Sequence, residues 1–242
     1  MKETVFIVLF LLFTFFNCKS LPIGYGATTT SHQVSLGSVG VNSTSLLDSE
    51  FNQTAVPNYS EPIKVSVNLV PFSKRSYKAF EKANAVQSAK IKVNYIDSIP
   101  QKPNYIKLQI ADKVSIINAL NSNGNESVKT YLANNKNAKV LTDVSMAFNP
   151  KELQSLMGAN SVFLVESGVK TYSLKWYDKT GKQQLVPFNN GVVFAYGTSN
   201  CCWRVNNRHK FDIVDLVDYG SCPKNTYGSA NRAEKTIETI KF

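Results

Sequence analysis

Residues 62–70, PIKVSVNLV, alternate apolar and polar side chains, and this alternation decides the fold class. Apolar residues occupy every second position from Ile63 to Leu69, and polar residues, beginning with Lys64, fill the positions between them. Successive side chains of a β-strand point to opposite faces of its sheet, so the pattern predicts a half-buried strand. The chain should therefore contain a sheet with one apolar face and one solvated face.

The same alternation recurs at residues 90–96 (KIKVNYI) and 104–110 (NYIKLQI). If the three strands share a sheet, their apolar side chains face the core and their lysines face solvent. The sequence thus predicts a basic, ligand-binding sheet face that carries Lys64, Lys90, Lys92 and Lys107. The alternative is a solvated face whose lysines only prevent edge-to-edge pairing of strands.

Helices are expected between and after these strands. Residues 74–86 and 112–121 repeat apolar side chains at helical spacing. Residues 149–158, NPKELQSLMG, combine an Asn149 N-cap, Pro150 at the first helical position and a terminating Gly158. All three segments should pack against the sheet.

From about residue 160 onward, short apolar or alternating segments are joined by Gly or Asn-Asn turns. Such spacing is typical of antiparallel strands that follow one another along a sheet. The predicted fold class is therefore α+β: a mixed or antiparallel sheet with a few short helices, whose C-terminal half is a β-meander.

The N-terminus contains twelve apolar or near-apolar residues, 5–16, which are separated from Cys18 only by Asn17 in the sequence FFNCKS. A helix that spans a bilayer needs roughly 20 residues, so the segment indicates a signal peptide. It resembles a bacterial lipoprotein signal, in which the cysteine is acylated and becomes the first residue of the mature protein. This resemblance covers residues 1–18. It implies a lipid-anchored cell-envelope protein, and Lys19 after the cysteine implies the outer membrane.

The alternative is an ordinary signal peptidase cut. Cys18, Lys19 and Ser20 fit a small-x-small pattern, and cleavage there would release a secreted protein that begins at Leu21.

Three segments make up the predicted domain organisation. Residues 1–17 form the signal peptide. Residues 18–60 form the lipidated cysteine and a flexible tether, because Ser, Thr, Gly and Asn dominate them and bury little apolar surface. Residues 61–242 form a single α+β domain, since their number suffices for one core.

Charge composition constrains the partners. The 27 Lys and Arg against 17 Asp and Glu give a net charge of +10, but only four of the cations are arginines: Arg75, Arg204, Arg208 and Arg232. Recognition of phosphate in a fixed geometry favours Arg, so the composition argues against specific nucleic-acid binding. The expected partners are the membrane, reached through the N-terminal lipid, and an anionic envelope polysaccharide or another envelope protein.

The cysteines predict a disulfide. Once Cys18 is lipidated or removed, Cys201, Cys202 and Cys222 remain. Adjacent cysteines rarely bond to each other, because the small ring strains the peptide between them. We therefore expect a bridge from Cys222 to Cys202, or else to Cys201, with Cys202 preferred because it neighbours Trp203. The remaining cysteine should be a buried thiol or a slow dimerisation site.

Catalysis is the alternative function. Cys202, His209 and Asp212 provide the residue types of a thiol nucleophile, a base and an orienting carboxylate. A hydrolase could instead use a pair of carboxylates, which would be distant in sequence and therefore show no motif. No P-loop, GxGxxG, HExxH or EF-hand pattern is present, so we expect no cofactor and no metal site. The favoured interpretation is a non-catalytic binding or scaffolding domain in the cell envelope.

Overall fold

The computed structural model describes residues 27–44, 49–206, 208–218 and 220–240. Its strands are β1 (Thr28–Thr29), β2 (Val39–Thr44), β3 (Ser49–Ala55), β4 (Ile63–Pro71), β5 (Asn104–Ile110), β6 (Ala138–Ala147), β7 (Val162–Gly168), β8 (Thr171–Tyr177), β9 (Gln183–Pro187), β10 (Val192–Val205) and β11 (Phe211–Val217). Its α-helices are α1 (Lys74–Val86), α2 (Lys113–Asn121), α3 (Glu126–Asn134), α4 (Pro150–Met157) and α5 (Ala230–Ile240).

The strands form an antiparallel sheet in the order β1-β10-β6-β5-β4-β7-β8-β9. In addition, β11 pairs with β10, and β2 pairs with both β6 and β3. The predicted α+β class, an antiparallel sheet with a few short helices, is confirmed. Strands β7, β8 and β9 are successive neighbours, but β10 crosses the sheet to lie between β1 and β6. Its apolar first half is buried, as is typical of a central strand.

Both faces of the sheet are covered, and alternate residues of β5 show it. Ile106 and Leu108 point into the main core, where the buried side chains Ile116 and Leu120 of α2 also pack. Tyr105 points into a second cluster beneath α1. In that cluster the Phe80 ring of α1 lies 5.6 Å from Phe72 and 6.2 Å from Phe194, centroid to centroid, so aromatic packing attaches α1 to the sheet.

The predicted tether is wrong for residues 27–44 and 49–60, which belong to the fold. β2 pairs with β6, and this part of the chain buries five apolar side chains: Val34, Leu36, Val39, Phe51 and Tyr59. The small residues that suggest a linker instead permit close packing. A Cβ on Gly40, for example, would lie 2.2 Å from the carbonyl oxygen of Asn52 in β3. The folded domain therefore includes residue 27, whereas Cys18 and the signal segment lie outside the described residues.

The predicted strand at 90–96 is also wrong. Residues 89–96 have no regular secondary structure, and the backbone of Ile91 hydrogen-bonds to a side chain instead of a strand. The Asn84 amide accepts from the Ile91 N–H at 2.9 Å and donates to its carbonyl at 3.1 Å. One asparagine of α1 thus takes the place of a strand partner.

The three predicted helices are confirmed as α1, α2 and α4, and the side chain of Asn149 accepts from the Glu152 N–H as an N-cap should. The sequence did not predict helices α3 and α5. α3 buries only Val128 and Leu132, which is too sparse a pattern to recognise in nine residues.

Leu36 tests whether the N-terminal segment is part of the cooperative core. Its side chain is 0% exposed, so Leu36→Ala should lower the free energy of unfolding by about 2–5 kcal/mol. The control is Leu69→Ala in β4, where the side chain is 41% exposed and the cost should stay below about 1 kcal/mol. Urea unfolding of both variants gives the comparison. If both variants lose little free energy of unfolding, the N-terminal segment is not part of the core and the tether prediction stands.

Candidate functional site

The cysteines pair as predicted. Cys202 and Cys222 form a disulfide with their Cα atoms 5.6 Å apart. Cys201 is a free thiol, 5% exposed, and burial raises its pKa to about 12. At neutral pH such a thiol holds almost no thiolate, the form that acts as a nucleophile.

The Cys/His hydrolase hypothesis is contradicted, because the sulfur of Cys202 is bonded to Cys222. His209 lies in an exposed turn with a left-handed φ of 57°. Asp212 accepts a hydrogen bond from Asn206 at 2.9 Å and lies 3.8 Å from the Lys129 ammonium, so its carboxylate has structural partners. The three residue types occur in the sequence, but Cys202 is oxidised in a disulfide and provides no thiol nucleophile.

Among the described residues, no group of three or more His, Cys, Asp or Glu side chains is arranged to hold a metal ion. In the same part of the chain, no helix is both long enough and apolar enough to cross a bilayer.

The predicted lysine face is only half formed. Asn68 of β4 lies opposite Lys107 of β5, so Lys64 and Lys107 share one face of the sheet. Lys90 instead follows α1 and donates to carbonyls at its C-terminal end, those of Asn84, Ala85 and Gln87, at 2.7–3.0 Å. Lys92 is exposed in the irregular segment. Two of the four lysines therefore lie elsewhere, because residues 90–96 form no strand.

Lys107 is itself engaged by the partly buried carboxylate of Asp143. Its ammonium lies 3.5 Å from Asp143 Oδ1, an ion pair without a well-formed hydrogen bond. Burial raises the pKa of Asp143, Lys107 opposes this shift and the charge of Asp218 adds to it. A Cβ at the neighbouring Gly197 would overlap the Asp143 carboxylate, so any larger residue there would force that carboxylate to move.

Asp218 forms the outer part of the same cluster. It accepts a hydrogen bond from Ser199, whose hydroxyl also lies 2.7 Å from that of Thr142. Neither Asp143 nor Asp218 lines any of the clefts described below. We therefore assign these groups to the structure of the sheet.

The described structure has a different basic surface, a cleft of about 220 Å³ between α1 and the N-terminal strands. Arg75, Lys78 and Lys82 line it from α1. Residues three and four apart share one face of a helix, so these cations form a single stripe. The opposite wall is the hydroxyl-rich segment of residues 29–31. We call this site the basic cleft.

Gln87, the buried C-cap residue of α1, holds the two walls together. Its amide donates to the Ser31 carbonyl at 3.1 Å and to the Val193 carbonyl at 2.6 Å, and accepts from the Val193 N–H at 3.0 Å. The Thr30 N–H donates to the Phe194 carbonyl at 3.1 Å. Helix, β10 and hydroxyl wall are thus fixed to one another before any ligand binds.

The charge of the basic cleft is strongly one-sided. Among the described lining residues, Glu50 is the only carboxylate, and its Oε1 lies 3.1 Å from His32 Nε2. Three cations against one carboxylate make the cleft attractive to an anion.

Sequence reasoning missed the basic cleft for two reasons. The apolar stripe in segment 74–86 predicts a helix that packs on the sheet, but Arg75, Lys78 and Lys82 form an equally regular basic stripe on the same segment. The facing wall belongs to residues 29–31, which composition assigned to the tether. The helical stripe was detectable, but its partner wall was not.

No protein-family model matches the chain, and searches of curated proteins and of solved structures found no significant similarity. Function must therefore be inferred from the chemistry of the clefts themselves.

The cysteine arrangement gives a direct chemical test. In the native oxidised protein, iodoacetamide at pH 8 should leave Cys201 unmodified, because its thiol is buried and its pKa is raised to about 12. Unfolding without reductant should expose Cys201 alone among residues 27–240, and peptide mapping should recover Cys202 linked to Cys222. Cys222→Ser should lower stability by about 3 kcal/mol, the loop-closure estimate for this separation of 20 residues.

Cys201→Ala is the matched control, since it removes a cysteine and leaves the bridge intact. Rapid native labelling of Cys201 would contradict the buried, inert thiol.

Proposed function

We propose that the protein is an exported, lipid-anchored cell-envelope protein whose single domain binds anionic groups of the envelope without catalysis. The observation that carries the binding function is the basic cleft, where three cations of one helical stripe face a hydroxyl-rich wall. The anchor rests on the sequence alone, on the apolar segment 5–16 that ends one residue before Cys18.

The size and composition of the basic cleft favour part of a large anion over a small molecule. Its volume of about 220 Å³ is below the roughly 300–1,000 Å³ of small-molecule pockets. Two of its three cations are lysines, which act as point charges, whereas a fixed bidentate geometry favours arginine. Separate phosphate or carboxylate groups on an envelope polysaccharide or lipid fit this arrangement.

The position of β1 links the basic cleft to the proposed anchor. Eight residues separate Cys18 from Ala27, the first described residue, and that length of chain reaches at most about 30 Å. Thr29 of β1 already lines the basic cleft. An acylated Cys18 would therefore hold the cleft near the membrane surface, in the outer membrane if Lys19 directs sorting as the lipoprotein resemblance implies.

The hydrolase alternative is not proposed. Its thiol version lacks a nucleophile, because Cys202 is disulfide-bonded. Its carboxylate version needs two acids across one site, and Glu50 is the only described carboxylate that lines the basic cleft.

The anchor is tested by replacing Cys18. The wild-type protein should remain with membranes after a high-salt wash, because two or three acyl chains bind a bilayer stably. Cys18→Ala should lose the acyl chains and leave the membrane fraction, whereas the control Cys201→Ala should stay there. Mass spectrometry of the mature N-terminus provides the second measurement. An unmodified chain that begins at Leu21 would contradict the anchor and support secretion.

The basic cleft is tested with the Cys18→Ala protein, so that acyl chains cannot mask binding through the cleft. Replacing Arg75, Lys78 and Lys82 together by Gln should weaken binding to anionic lipid vesicles by roughly a hundredfold, at about 1 kcal/mol per cation. Binding of the parent protein should also weaken as salt is raised. A parallel series with an acidic polysaccharide separates the two sources of anions.

The matched control removes three exposed lysines elsewhere, Lys64, Lys92 and Lys136, for the same change in net charge. If the control loses as much affinity as the cleft variant, net charge explains binding and the basic cleft does not.

A further inference from the structure

A second and larger cleft, of about 630 Å³, lies between β3, the start of α3 and the turn that joins β7 to β8. It shares no lining residue with the basic cleft. Its volume falls within the roughly 300–1,000 Å³ typical of pockets that enclose a small molecule. The side chains that matter for its chemistry are Gln53, Asn58, Ser127, Tyr131, Glu166 and Lys170.

A buried asparagine fixes the shape of this second cleft. The side-chain oxygen Oδ1 of Asn125 accepts from the Asn58 N–H at 2.7 Å, and its Nδ2 donates to the backbone carbonyls of Asn58 and Ala119 at 2.8 Å each. These bonds join the segment after β3 to the loop between α2 and α3. The backbone of Asn58 is thereby held in place, while its side chain remains exposed at the cleft.

The aromatic ring in the second cleft is also held in position. The Tyr131 hydroxyl donates to Thr54 Oγ1 of β3 at 3.3 Å and accepts from Asn135 Nδ2 at 3.2 Å. The ring is thus anchored through its hydroxyl and needs little reordering when a ligand arrives, which lowers the entropic cost of binding.

The lining side chains retain unused hydrogen-bonding capacity. Gln53 uses its Oε1 to accept from the Ser35 N–H at 3.1 Å, which leaves its amide donors available. Within the described structure, the side chains of Asn58, Ser127 and Lys170 make no hydrogen bond to protein. Glu166 Oε1 is engaged only weakly, by the Lys170 N–H at 3.4 Å. Amide, hydroxyl, ammonium and carboxylate groups are therefore ready to bind a ligand.

We propose that the second cleft binds a short saccharide segment. A sugar ring presents several hydroxyl groups, each both a donor and an acceptor, together with a C–H face that packs on an aromatic ring. Amide and hydroxyl side chains match the sugar hydroxyl groups, because they also donate and accept hydrogen bonds. The ring of Tyr131 matches the C–H face. One carboxylate and one ammonium, Glu166 and Lys170, balance each other in charge, so the sugar need not be charged.

A peptide fits this cleft less well. Peptide and protein ligands draw most of their binding energy from apolar or aromatic anchors in desolvated pockets. The apolar side chains here are small, and the one at the rim, Val169, is 91% exposed. The cleft therefore offers hydrogen bonds and one ring instead of an apolar pocket.

The saccharide site is independent of the proposed anion binding, because the two clefts share no residue. Either one can fail while the other stands.

The test is an NMR titration of the Cys18→Ala protein with a panel of uncharged disaccharides: cellobiose, maltose, laminaribiose and N,N′-diacetylchitobiose. At about 10 mM ligand, enough to detect millimolar affinity, at least one sugar should shift backbone amide signals confined to residues 53–58, 124–131 and 166–170. Asn58→Ala and Ser127→Ala should each weaken that binding roughly three- to tenfold, through loss of one hydrogen bond. The folded spectrum should otherwise be retained, since neither side chain supports the fold.

The control is Asn68→Ala, which removes an exposed asparagine from β4, outside this cleft, and should leave affinity unchanged. Absence of localised shifts with every sugar in the panel would overturn the proposal. So would equal losses in the Asn58→Ala and Asn68→Ala proteins, or shifts that centre on Arg75, Lys78 and Lys82.

Discussion

Burial of β10 dictates how the other elements of the fold are arranged. The first six residues of β10, 192–197, are all buried, because α1 covers one side of the sheet and the main core occupies the other. The backbone groups of a buried strand must be satisfied. β10 achieves this by pairing with β1, β6 and β11, while the side chain of Gln87 bonds to the N–H and carbonyl of Val193. β1 and β6, which are distant from β10 in sequence, are thereby brought beside it.

Both clefts follow from this arrangement. β1 pairs with β10, and Gln87 ties α1 to the same strand through Val193, so the two walls of the basic cleft have one common support. β2 pairs with β6, the neighbour of β10, and carries β3 to the edge of the second cleft. The N-terminal segment thus contributes a wall to each cleft, and losing its packing would remove both.

The charges of the protein divide by what surrounds them. Lys107 faces the partly buried carboxylate of Asp143, and Lys90 caps α1, so neither ammonium is available to a partner without structural cost. Arg75 and Lys78 are exposed beside a wall of hydroxyls. A net charge of +10 therefore indicates little about binding unless the surroundings of each cation are known. The disulfide reinforces the packing around β10, since it joins the end of this strand to the segment before α5.

Features with a local physical cause could be predicted from the sequence. Alternation predicted β4 and β5, and the Asn149 cap and the terminal Gly158 predicted α4. The strain between adjacent cysteines predicted that Cys222 bonds to Cys201 or Cys202, and the neighbouring Trp203 favoured Cys202. Residues 90–96 alternate equally well, yet Asn84 of α1 takes up the backbone of Ile91, a contact that pattern cannot reveal. Residues 27–60 resemble a linker because small residues serve both flexible chains and tight packing, and only the proximity of β6 decides between the two. The clefts are built from such long-range contacts, so their positions could not be predicted from the sequence.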